Sequence, residues 1–144
     1  MLNNMSLFDS SIMIVDYDPL SSQQLNDILM ETGYKNISLL NDPKEVLRSY
    51  RDESPELIFL DLRMPGLGGI GVLDDLKTLC RKSYLPVIVL SDRADLKIRL
   101  MAFKWGIIEF LGQPYDVNEV RFRAKHVLET AKSDMNNCKT NVSY

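Results

Sequence analysis

The sequence predicts an α/β fold, a doubly wound (βα)5 sandwich whose five-stranded parallel sheet is covered by helices on both sides. Two observations predict it. Short apolar runs of strand length alternate five times with segments of helical period. Runs such as Ile12-Met13-Ile14-Val15, Leu57-Ile58-Phe59-Leu60 and Val87-Ile88-Val89-Leu90 are apolar at every position. That pattern marks strands buried on both faces, as in parallel sheets joined by helices.

The elements follow in order. Ile12 to Val15 is strand β1, and a helix α1 follows from about Leu20 to Thr32, with Leu25, Ile28 and Leu29 on one face. Gly33 is its stop signal. Ile37 to Leu40 is a short β2, after which Asn41-Asp42-Pro43 supplies a cap and a first-turn proline for α2, running through about Arg51. Leu57 to Leu60 is β3. Ile70, Leu73, Leu76 and Cys80 trace the inner stripe of α3. Val87 to Leu90 is β4, Ala94 to about Trp105 is α4, ended by Gly106, and Ile108 to Leu111 is β5. Helix α5 starts near Val117, where Val120, Ala124, Val127, Leu128 and Ala131 keep the helical period. After Ser133 the pattern gives way to Asp134-Met135-Asn136-Asn137, read as a frayed end or linker. The expected organisation is an extension over residues 1–10, one domain over 11–133, and a tail or linker to an output domain over 134–144.

Composition narrows the function classes. The 144 residues suit one domain with a single good core. A net charge of −3 without a Lys/Arg block argues against direct nucleic-acid binding. No apolar stretch approaches the roughly 20 residues of a membrane helix, and the first residues carry no secretory pattern. The expected location is therefore the cytoplasm, without membrane association. Cys80 and Cys138 form no metal-like pair. The single histidine, His126, reads as a surface or partly buried helix residue rather than a ligand. Gly66, Gly68 and Gly71 spell Gly-x-Gly-x-x-Gly, but Asp61 to Pro65 separate them from the strand. They therefore shape a loop rather than a dinucleotide site.

Right-handed crossovers bring the C-terminal ends of parallel strands to one edge, where ligands bind in open α/β sheets. That edge gathers Asp16, Asp18, Asp61, Ser91 and Gln113. Clustered carboxylates suit a divalent cation, and a carboxylate beside a metal can accept a phosphoryl group. Asp18 before Pro19 is the better helix cap, and capping is favoured over metal binding there.

Five βα units with Val15-Asp16 after β1, Leu60-Asp61-Leu62-Arg63-Met64-Pro65-Gly66 after β3, Leu90-Ser91 after β4 and Gln113-Pro114 after β5 resemble the receiver domains of bacterial response regulators. The likeness runs from about Ser11 to Ser133. It implies a CheY-like, flavodoxin-like sheet of order 2-1-3-4-5 and phosphoryl transfer from a histidine kinase or phosphotransfer protein to Asp61. It also implies Mg²⁺ held by Asp16, Asp61 and the Arg63 carbonyl, with Asp18 a weak further ligand, and a phosphoryl contact from Ser91. Phe110 would be the switch aromatic, and the α4-β5-α5 face would signal to an output domain or a second copy. A phosphorylation-independent interaction module working through that face is the alternative.

Departures from the family pattern fall inside the site. A second acid after β1 is replaced by Tyr17, and the lysine before the proline after β5 is replaced by Gln113; Gly68 is a milder change. A phenol is a poor metal ligand near neutral pH, so Mg²⁺ binding should weaken, and the Tyr17 ring is expected to narrow access. Gln113 can donate an amide hydrogen to a phosphoryl oxygen without a charge. That loses on the order of 1–3 kcal/mol of support for the phosphorylated state. Without the lysine charge, Asp61 should have a raised pKa. Trp105 reads equally as a partner contact or a covering aromatic.

Overall fold

The computed structural model describes residues 6–64, 68–79, 86–91, 100, 103–104 and 109–141, with side chains through residue 132. Five parallel strands, β1 (Ser11–Val15), β2 (Asn36–Leu40), β3 (Leu57–Asp61), β4 (Val87–Leu90) and β5 (Glu109–Leu111), form one sheet of order β2-β1-β3-β4-β5. This is the doubly wound topology expected from the sequence.

Alternate residues of each all-apolar strand point to opposite faces, so one sheet supports two cores. On one side Met13, Val15, Ile58, Leu60, Val87 and Val89 meet Val46 of α2 (Val46–Glu53) and Val72, Leu73 and Leu76 of α3 (Gly68–Leu79). On the other, Ile12, Ile14, Leu57, Phe59, Ile88, Leu90 and Leu111 meet Leu25 and Leu29 of α1 (Pro19–Thr32) and Val120, Ala124, Val127 and Leu128 of α5 (Val117–Asn141).

The helix boundaries follow their caps. Asp18 accepts from the Leu20 N–H at 3.0 Å with Pro19 in the first turn, and Gly33 closes α1 at φ 126°, where a side chain would be strained. Asp42 accepts from the Lys44 N–H at 2.9 Å, but Pro43–Glu45 forms a 3-10 turn before α2 begins at Val46. The α5 backbone continues past Ser133 to Asn141. No glycine or proline interrupts that stretch, and extending an established helix fixes only one residue per new hydrogen bond. The segment expected to form α4, with Trp105 and Gly106, lies outside the described residues except for Leu100, Phe103 and Lys104, as do Cys80, Pro65, Gly66 and Ile108.

Candidate functional site

Sheet register builds the site. Val15 lies opposite Leu60, so Asp16 and Asp61 are the next residues on adjacent strands. Leu90 lies opposite both Asp61 and Leu111, which sets Ser91 one step beyond, its N–H bonded to the Leu111 carbonyl at 3.0 Å. A cleft of about 130 Å³ opens at this edge. Asp16, Asp18, Asp61, Arg63, Ser91 and Gln113, all named from the sequence, line it together with Ser21, Leu90 and Tyr115. Phe110 does not line it; half-buried, it packs against the core on the α2–α3 side.

The backbone clamps both carboxylates. Asp16 is 2% exposed, accepts from the Asp18 N–H at 3.0 Å, and receives the Asn41 side chain on its own carbonyl at 2.6 Å. Asp61 Oδ1 accepts from the Arg63 N–H at 2.9 Å. Behind it, Gly69 lets α3 approach closely: a Cβ there would fall 2.3 Å from both the Asp61 carbonyl oxygen and Leu62 Cα. Burial pushes the Asp61 carboxyl up to about 6, against the Arg63 N–H that pulls it down, and the charge of Asp16 and its hydrogen bond to Asp61 push it further. The direction matches the expectation from the missing lysine charge; the largest cause is burial.

Two expectations change. Tyr17 is 57% exposed and does not line the cleft, so its ring leaves the acid edge open. It lies in the bend that follows β1. Asp18 caps α1 through Oδ1, the role favoured from the sequence. Gln113 Nε2 donates to Ser21 Oγ and, at 3.3 Å, to Tyr115 Oη, and the two hydroxyls bond each other at 2.8 Å. Burial, and the charges of Asp16 and Asp61, raise the Tyr115 phenol despite these bonds, so it keeps its proton. Sequence reasoning missed Ser21 and Tyr115. The signal was present: the first turn of α1 and the residues after β5 both sit above the acid edge.

The oxygens of Asp16, Asp61 and the Arg63 backbone suit a hard cation that completes its shell with water. Among the described residues no group of three or more His, Cys, Asp or Glu side chains could hold a metal. The carboxylates the cleft offers beside each other for such a cation are two, Asp16 and Asp61. On the far side of β5, buried Glu109 is held by Arg123 at 2.6 Å and His126 at 2.7 Å. His126 is thus a half-exposed helix residue, stacked beside Phe122.

The family profile described as "Response regulator receiver domain" matches residues 12–125. The chain belongs to this family. The receiver domain is 31% identical over 127 residues to a probable transcriptional regulator, ycf27, of Porphyridium aerugineum, covering 88% of this chain and 51% of that protein. It is 31% identical over 125 residues to the transcriptional regulatory protein BaeR of Escherichia coli, covering 84% and 49%. It thus spans about half the length of these curated relatives. The crystal structure of NtrX from Brucella abortus superposes with a TM-score of 0.82 at 25% identity, over 92% of this chain and 29% of that one. The protein is accordingly a receiver domain of two-component signal transduction, a class made mostly of non-enzymatic phosphoacceptors that typically bind Mg²⁺ and interact with histidine kinases. Among the described residues no helix is long and apolar enough to cross a membrane.

Proposed function

We propose that Asp61 accepts a phosphoryl group from a histidine kinase or phosphotransfer protein. The observation that carries this reading is the Asp61 carboxyl, hydrogen-bonded beside buried Asp16 in a cleft that also holds Ser91 and Gln113. An ionised Asp61 oxygen attacks phosphorus, a P–O bond forms, and the P–N bond of the donor phosphohistidine breaks. The imidazole nitrogen leaves with the electron pair and takes up a proton. Asp16, Asp61 and the Arg63 carbonyl would hold Mg²⁺, which supplies neutralising charge for the phosphoryl oxygens. The Ser91 hydroxyl bonds a phosphoryl oxygen. Phosphorylation then biases Phe110 and the α4-β5-α5 face, which signals to an output domain or a second copy, in the cytoplasm.

The match covers only about half of each of these relatives, and the remaining half supports an attached output domain. The test is intact-protein mass spectrometry after incubation with acetyl phosphate and Mg²⁺. One phosphoryl increment mapping to Asp61 and lost in Asp61→Ala is expected. An unmodified wild-type chain at saturating Mg²⁺ and acetyl phosphate would overturn the assignment.

A further inference from the structure

Gln113 stands where the family pattern has a lysine, but both hydrogens of its amide are already engaged by Ser21 Oγ and Tyr115 Oη. The same two hydroxyls bond each other at 2.8 Å. An amide brings two hydrogens and each hydroxyl one, so these three contacts leave one hydroxyl hydrogen over. Ser21 is buried in the first turn of α1, at 4% exposure. Tyr115 is half-buried on the cleft wall, close enough to both carboxylates to feel their charges. If Ser21 donates to Tyr115, the phenol oxygen accepts from both Ser21 and Gln113. Its own hydrogen is then the one left for the cleft, and accepting two bonds polarises that O–H into a stronger donor.

We propose that the Tyr115 hydroxyl is the donor that meets an incoming phosphoryl oxygen at Asp61, and that Ser21 and Gln113 are positioning residues that hold the phenol by donating to its oxygen. A neutral phenol thereby serves where an ammonium group would otherwise stand. The proposal rests on the phosphoacceptor reading of Asp61. With acetyl phosphate, a P–O bond forms to Asp61, the P–O bond to acetate breaks, and acetate leaves with the electron pair. Tyr115 contributes a hydrogen bond and keeps its proton.

The test combines labelling rates with NMR on the full chain. The rate of Asp61 labelling by acetyl phosphate with Mg²⁺ is measured for wild type, Tyr115→Phe, Gln113→Ala and the double variant. Loss of one hydroxyl donor should slow labelling about three- to tenfold. Gln113→Ala should also slow it in the wild type but change nothing further in the Tyr115→Phe background. A purely structural role would not produce that dependence. Equal effects of Gln113→Ala in both backgrounds would make the amide itself the donor and overturn the proposal, as would wild-type labelling by Tyr115→Phe. The Gln113 side-chain amide signals should move in both Tyr115→Phe and Ser21→Ala; signals that stay put refute the network whatever the labelling. A wild-type chain that takes no label while these signals do move removes the phosphoacceptor reading, and the donor role with it, but leaves the network standing.

Discussion

Replacing Asp61 with asparagine should stabilise the metal-free domain at neutral pH, by an amount that depends on pH in a defined direction. Asparagine keeps the shape of the side chain and an oxygen for the Arg63 N–H, now 2.9 Å from Oδ1. It removes a charge that is desolvated and beside Asp16. The fold pushes this carboxyl up from its ordinary 3.8 to about 6. Between those values the folded protein binds more protons than the unfolded chain, so wild-type stability falls as pH rises from about 4 to about 6 and levels off above. The two values differ by the equivalent of about 3 kcal/mol at 1.36 kcal/mol per pH unit. Partial exposure and solvent screening reduce this to about 1–2 kcal/mol, or roughly 3–6 °C in Tm for a chain of this size. Scanning calorimetry in EDTA at pH 4 and pH 7.5 measures it. The Asn-minus-wild-type difference in Tm should be larger at pH 7.5 by about that amount, since titrating groups away from Asp61 cancel. An equal difference at both pH values, or a larger one at pH 4, would refute the reasoning.

Three further outcomes are expected. Asp18→Ala removes the α1 cap and should cost about 1 kcal/mol, leaving Mg²⁺ affinity unchanged in a calorimetric titration; a tenfold weaker metal would instead make Asp18 a ligand. Gly69→Ala would force a Cβ to 2.3 Å from backbone atoms of Asp61 and Leu62. Urea unfolding should show a loss of about 2–3 kcal/mol or more, and a neutral result would mean that α3 shifts freely behind the acceptor. Arg123→Ala strips buried Glu109 of its 2.6 Å partner and should cost about 1–3 kcal/mol. Adding Glu109→Gln should recover part of that loss, whereas simple additivity would show that the pair is uncoupled.

Much of the fold was legible because its signals are local or periodic. All-apolar runs announce strands buried on both faces, Asp18-Pro19 and Gly33 bracket α1, and Val15-Asp16 and Leu60-Asp61 mark strand ends. Boundaries were less legible where two local preferences compete. After Asp42 the chain makes a 3-10 turn before entering α2, and α5 extends through polar residues that neither break a helix nor advertise one. Tyr17 misled for a different reason: adjacency in sequence to Asp16 suggested adjacency in the cleft, but in the bend after β1 its ring is exposed to solvent.

The sequence by itself determined the sheet, its two-sided core and the carboxylates at its edge, because burial period and turn chemistry are written residue by residue. It also identified Gln113 as an uncharged replacement for a lysine. Only the tertiary structure decided what that replacement does. Ser21 and Gln113 are 92 residues apart, and no periodicity links them. Packing α1 and the segment after β5 over the same sheet edge brings their polar groups within bonding distance, with Tyr115 bonded to both on the wall of the cleft that holds the acids. Register likewise, not composition, seats Asp16 beside Asp61, and burial at that edge does most to raise the carboxyl on which the proposed chemistry depends.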